Sequence, residues 1–66
     1  MKVTYDDVTV KLTGTDGNAF AIMAIVHPAI ARKHGAKAGD DYLNDAMSAS
    51  SYEELLNITK LTVHVI

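Results

Sequence analysis

Cysteine is absent from the 66 residues. No disulfide can staple the fold, and a Cys-ligated zinc or iron–sulfur site is excluded with it. Proline occurs once, at Pro28. The longest apolar run, Ala19 to Val26, falls far short of the ~20 residues that a bilayer-spanning helix needs. Met1-Lys2 is followed by Thr4, Tyr5, Asp6 and Asp7, which is not the apolar pattern of a secretion signal. Together with zero cysteines, this makes a cytoplasmic chain without membrane contact the expectation. Basic charge is scarce as well. Six Lys and Arg against eight Asp and Glu leave a formal net charge of −2. A general nucleic-acid binder is normally basic, because phosphate neutralisation supplies much of its affinity, so nucleic acid is not an expected partner.

What is present reads as one domain covering residues 1–66. The composition is 48% hydrophobic and 21% charged, a globular balance. A chain of this size buries only about 60% of the surface it exposes when unfolded, so its core is thin. Small scaffolds usually complete such a core with a staple, tight helix packing or self-association.

Val8, Val10 and Leu12 alternate with Thr9, Lys11 and Thr13, the period of a half-buried strand. Val3 and Tyr5 extend the pattern, with Asp6-Asp7 as a bulge or turn. Gly14-Thr15-Asp16-Gly17 ends it, Asp-Gly being a strong turn signal. Asn18 is placed to cap a helix that begins with the apolar run Ala19 to Val26. Such a helix is expected to be buried on more than one side. Pro28 predicts a kink or a restart, since it removes a hydrogen bond to the Ala24 carbonyl and crowds it. The helix then continues through Ile30 to Lys33 and ends at Gly35, with Arg32, Lys33 and His34 in a last turn where cations suit the dipole. Gly39-Asp40-Asp41 opens a second helix with Leu43, Ala46 and Met47 as its apolar stripe. Ser51-Tyr52-Glu53-Glu54 reads as a capping box for a third helix carrying Leu55, Leu56 and Thr59 on one side. Leu61, Val63 and Val65 then alternate with Thr62 and His64 in a closing strand. The fold class is α+β, ordered strand, three helices, strand. Two strands alone make a marginal sheet with open edges. With the apolar first helix, they favour a homodimer or higher oligomer that completes the core.

The strand–Gly14-to-Asn18–helix element is the most suggestive of a ligand. A glycine-bearing turn feeding a helix N-terminus presents backbone N–H groups that can hold a phosphate. The candidate ligand-binding residues are Gly17, Asn18 and Ala19. Lys11 adds charge if its strand face turns toward the loop, and Arg32 or Lys33 could come from a neighbouring subunit. The element is neither a Walker loop nor a GxGxxG fingerprint, and Asp16 puts a negative charge where an anion would sit. The plainer alternative is an Asp-Gly turn with an Asn cap.

His27 and His34 are seven residues apart with Pro28 between them, which is no metal-ligand spacing, so no metal and no cofactor are expected. Ser48, Ser50 and Ser51 lie in no nucleophile-elbow context, and Asp40-Asp41 and Glu53-Glu54 sit at helix starts where the dipole explains them. No catalytic residue is assigned and the chain is read as a non-enzyme. Charge is segregated, with Arg32, Lys33 and Lys37 preceding Asp40, Asp41, Asp45, Glu53 and Glu54. This is either dipole complementarity at helix ends or a polarised surface for a charged partner.

The segment Val10-Lys11-Leu12-Thr13-Gly14-Thr15-Asp16-Gly17-Asn18-Ala19-Phe20-Ala21-Ile22 resembles one in very small bacteriophage and actinobacterial open reading frames, which share a VKLTG-x-DGNAFAI stretch. The likeness covers most of the chain. Arg32-Lys33 matches a basic helix, Asp40 to Met47 an acidic helix, and Ser51-Tyr52 a turn that opens the last helix. Pro28 departs from the continuous helix those sequences suggest. The resemblance implies a phage-type accessory protein, with anti-defence among its roles, that acts in the host cytoplasm by stoichiometric capture. On one reading it sequesters a phosphate-bearing signalling nucleotide. On the alternative it inhibits or adapts a host protein through its charged helices or a strand edge.

Overall fold

A computed structural model of the chain describes residues 3–14 and 17–66. The order is β1 (Tyr5–Val10), α1 (Ala19–His34), α2 (Ala36–Met47), α3 (Tyr52–Thr62) and β2 (Val63–Val65), the α+β succession that the sequence pattern predicts. Val8 and Val10 are buried while Asp7 and Thr9 are exposed, so the period-2 alternation sets the inward face of β1. β1 and β2 pair in parallel, because the three helices carry the chain back to the starting end of the sheet. The register shifts at Asp6-Asp7-Val8: Tyr5 and Thr9 are four residues apart on β1, whereas their partners Val63 and His64 are adjacent. That irregularity sits where the two aspartates break the apolar pattern. Beyond the strands the Ile66 N–H donates to the Val10 carbonyl, and the Thr4 N–H donates to the Leu61 carbonyl at the end of α3.

α1 starts as expected. The Asn18 side chain accepts the Ala21 N–H at 3.0 Å. The Asp16-Gly17 turn expected ahead of it falls partly outside the described residues. α1 passes through Pro28 as one helix, so of the expected kink or restart the restart does not occur. Pro28 and Ala24 are both exposed, so the ring and the carbonyl it leaves unbonded face solvent instead of a packed neighbour. Burial is also more one-sided than the apolar run predicts. Ile22, Met23, Val26 and Ile30 face inward, while Phe20 is 79% exposed.

Gly35, at φ 93°, ends α1 and immediately precedes α2, a backbone angle that side chains with a Cβ rarely adopt. The second helix therefore opens at Ala36, three residues ahead of the expected Gly39. Gly39 lies inside α2, buried against α1, where a Cβ would come within 3.2 Å of the Ala31 Cβ. This close approach turns Gly39, Tyr42 and Ala46 inward and Met47 outward, which corrects the expected Leu43/Ala46/Met47 stripe.

Ser51 caps α3 by accepting the Glu54 N–H at 3.1 Å. The return arm of the expected box is displaced by one residue. Glu54 Oε2 accepts the N–H and hydroxyl of Ser50, not the N–H of Ser51. The closing strand is shorter than the alternation predicts. Leu61 and Thr62 stay helical, Thr62 donating its hydroxyl to the Ile58 carbonyl at 2.7 Å. The core joins Val8, Val10 and Val63 of the sheet to Ile22, Val26 and Ile30 of α1, Tyr42 and Ala46 of α2 and Leu55 of α3. The chain exposes 4223 Å², close to the ~4,100 Å² expected of a compact monomer of this mass.

Candidate functional site

Phe20, Ala24 and Pro28 recur at i, i+4 and i+8, so they form one stripe along α1, and all three are exposed. Beside this stripe α2 presents Leu43, half-buried, and Met47, 66% exposed. Between them runs a groove of two joined depressions that share Phe20, Met23 and Met47. One, of about 430 Å³, lies along Ala24, His27, Pro28 and Leu43. The other, of about 380 Å³, continues to Ser50, Tyr52 and Leu55 at the start of α3. Large apolar side chains gathered on one exposed face mark interaction surfaces more often than scattered ones do.

Carboxylates stand at both ends of this groove. Asp40 bonds the half-buried His27 at 3.0 Å at one end. Glu54 holds Ser50 at the other. The Ser50 hydroxyl, followed by its N–H, keeps the Glu54 carboxyl below its ordinary value of 4.5, against the smaller opposing effect of desolvation. Neither depression is lined by a lysine or an arginine.

The residues expected to cradle a phosphate separate into groups. Gly17 has φ 73° and lines the groove beside Ala19. Asn18 spends its side-chain oxygen on the Ala21 N–H, one of the donors an anion would use. Lys11 is exposed just beyond β1. Arg32 and Lys33 sit in the last turn of α1. Arg32 lies thirteen positions after Ala19, about 20 Å along a helix axis. One copy of the chain therefore does not bring the α1 start and these two cations together. Arg32 and Lys33 instead line a depression of about 400 Å³ with Asp7, Val8, Thr9 and Ala29. There the Lys33 ammonium donates to the Asp7 carbonyl, and His34 meets the Asp7 carboxylate at 2.7 Å. The His34 hydrogen bond, the largest influence, pulls the Asp7 carboxyl below its ordinary 3.8. Tyr5 stacks on His34 with ring centroids 4.6 Å apart.

The three serines of the α2–α3 link serve the helix ends. Ser48 donates to the Asp45 carbonyl, Ser50 bonds Glu54 and Ser51 caps α3. Among the described residues no three His, Asp or Glu side chains gather as a metal site, and no helix is long and apolar enough to cross a membrane. The groove was missed in the sequence because an apolar run does not say which of its faces is covered. The signal was the proline: a Pro28 tolerated inside a helix belongs on its open side, and the i−4 and i−8 positions from it are Ala24 and Phe20. Compared with protein-family models, with curated proteins and with solved structures, the chain matches none.

Proposed function

We propose that the protein is a non-catalytic interaction module that holds an apolar segment of a partner protein in the groove between α1, α2 and the start of α3. The observation that carries this reading is the exposure of Phe20 and Met47, at 79% and 66%, over a groove whose floor includes Met23. Methionine walls suit such a role, because an unbranched thioether side chain adapts to different partner shapes. The surface differs from the charged helices or strand edge first expected of an adaptor. On β1 the Lys33 ammonium occupies the Asp7 carbonyl, and a lysine over a strand edge hinders strand addition. Capture of a phosphate-bearing nucleotide has less support, since within one copy Arg32 and Lys33 lie a helix length from Gly17, Asn18 and Ala19 and would have to come from a neighbouring subunit. The absence of cysteine fits action in a reducing cytoplasm. The likeness to small phage reading frames fits a stoichiometric inhibitor or adaptor.

Self-association is the second reading, favoured by the same exposed pair and by the outer edge that β2 keeps in a two-stranded sheet. Crosslinked recovery of partners by the parent and by Phe20→Ser/Met47→Ser tests both. The two side chains are mostly exposed, so the variant should match the parent in urea melts to within about 0.5 kcal/mol per site. It should lose the partners that the parent retains. Equal recovery by both would move the interaction off this face. Light scattering over a dilution series that detects a dimer in the parent alone would make a second copy the occupant.

A further inference from the structure

We propose that the groove's occupant is an amphipathic helix whose apolar stripe is bordered by lysine or arginine. The inference rests on the groove being the interaction surface and adds the chemistry of the partner.

Charge is the first ground. Asp40, 66% exposed, stands at the His27 end of the groove, and Glu54 stands at the Ser50 end. Glu53 adjoins Tyr52, which lines the same end, and is also exposed. No Lys or Arg lines either depression to offset these carboxylates. Of the cations on α1 and α2, Lys37 bonds Asp41 at 3.2 Å, and Arg32 and Lys33 line the separate depression beside β1. An apolar groove with an anionic border is complementary to an apolar stripe with a cationic border.

Length is the second ground. Phe20 and Pro28 lie eight positions apart on α1, about 12 Å, and the depression at α3 extends the groove beyond Phe20. A docked helix using anchors at i, i+3 or i+4, and i+7 needs about 10.5 Å for them. The ridge Phe20–Ala24–Pro28 on one side and Leu43–Met47 on the other leave a furrow of the kind into which a helix lays its side chains.

The border also disfavours a second copy. Each copy carries carboxylates at both ends of its groove, so pairing two grooves in either direction sets carboxylate against carboxylate. Like charges opposed across an interface select against it.

The test uses the full chain and three synthetic peptides of equal length. Two carry the same leucine stripe at helical spacing, one flanked by lysines and one by glutamates. The third is the lysine peptide with two prolines that forbid a helix. Calorimetry at low and moderate salt, with backbone amide shifts, reads the binding. The lysine peptide should bind, shift Phe20, Met23 and Met47, and weaken as salt rises. The glutamate peptide should bind at least about tenfold more weakly. Asp40→Asn and Glu54→Gln, which keep hydrogen-bonding groups in place, should each weaken the lysine peptide and spare the glutamate peptide. Equal binding of the lysine and glutamate peptides would overturn the charge assignment while leaving the groove reading intact. Equal binding of the proline peptide would overturn the helical form of the occupant. If no peptide binds, the helix proposal is overturned. In that case a dimer lost on Phe20→Ser would assign the face to a second copy, and no dimer would remove the groove reading as well.

Discussion

Tyr42 and Thr59 meet across the α2–α3 contact with their hydroxyl oxygens 2.9 Å apart, and both residues are buried. Thr59 gives its own proton to the Leu55 carbonyl at 2.9 Å. The Tyr42 hydroxyl is therefore the donor in the pair, and Thr59 Oγ1 the acceptor. Burial raises the Tyr42 pKa above its ordinary 10.0, opposed in part by the Thr59 hydrogen bond. The two single substitutions should not be equivalent. Tyr42→Phe removes a donor and leaves Thr59 still bonded to Leu55, at a cost of about 0.5–1.5 kcal/mol. Thr59→Val strands a buried phenol hydroxyl, at a cost of about 1–3 kcal/mol. Urea denaturation of both singles and the double checks this. The double should be more stable than the sum of the singles predicts, and strict additivity would mean that the hydroxyls do not interact.

The Asp7–His34 contact makes a pH prediction whose sign follows from the carboxylate. Asp7 is held below 3.8 in the fold, chiefly by the His34 hydrogen bond. A depressed acid contributes stability above its unfolded value, and that contribution is lost as pH falls through the folded value. Glu54, held below 4.5 by Ser50, acts in the same direction. Urea midpoints measured from about pH 6 down to about pH 2 should fall for the parent at the acid end. Asp7→Asn should start lower at pH 6 and fall less steeply. Parallel curves for the two would remove Asp7 from the account.

The strands and helices were legible where one local signal decides them. The Val8/Val10 alternation, the Asn18 cap and the Ser51 cap each act within four residues, and the structure keeps all three. What was not legible depends on a partner distant in sequence. Gly39 reads as a helix opener until α1 is seen against it. The acceptor of the Tyr42 hydroxyl, Thr59, lies 17 residues away on another helix, and no local signal marks the pair. The pairs His27–Asp40 and His34–Asp7 join residues 13 and 27 positions apart, and no spacing rule links them. The site follows the same division. Gly17 and Ala19 line the groove, but the proposed docking face runs along Phe20, Ala24 and Pro28, which only the packing of α1 separates from its buried neighbours.

Ser51→Ala should lower stability by about 0.5–2 kcal/mol, through loss of the bond from the Glu54 N–H. Ser51→Gly should cost only a few tenths, since glycine is tolerated at an N-cap. The displaced return arm adds a second measurement. Because Glu54 holds both the N–H and the hydroxyl of Ser50, Ser50→Ala keeps one of the two bonds and should cost less than Ser51→Ala. Urea melts of the three variants give the order. A Ser50 effect larger than the Ser51 effect would place the helix start one residue earlier.

Gly39→Ala sets two effects of known sign against each other. Alanine in place of glycine favours a helix interior by about 1 kcal/mol. The added Cβ, however, would stand 3.1 Å from the His27 carbonyl oxygen and 3.2 Å from both the Ala31 Cβ and the His27 Cδ2. The imidazole can rotate away, although that disturbs its bond to Asp40. The carbonyl and the Ala31 Cβ are fixed to the α1 backbone, so α1 and α2 have to separate. Overpacking of this kind costs about 1–3 kcal/mol, which outweighs the propensity gain. The expected outcome is a net loss of about 1 kcal/mol in urea denaturation. Ala31→Gly removes one of the opposing atoms and should itself destabilise α1 by about 1 kcal/mol. Combined with Gly39→Ala it should recover part of the loss, because the two changes act on one contact. The His27 carbonyl stays in place, so recovery should be incomplete. A stabilised Gly39→Ala would show that the helices yield easily and that propensity decides. Additive losses in the double would mean that the Ala31 Cβ is not what holds position 39 to glycine.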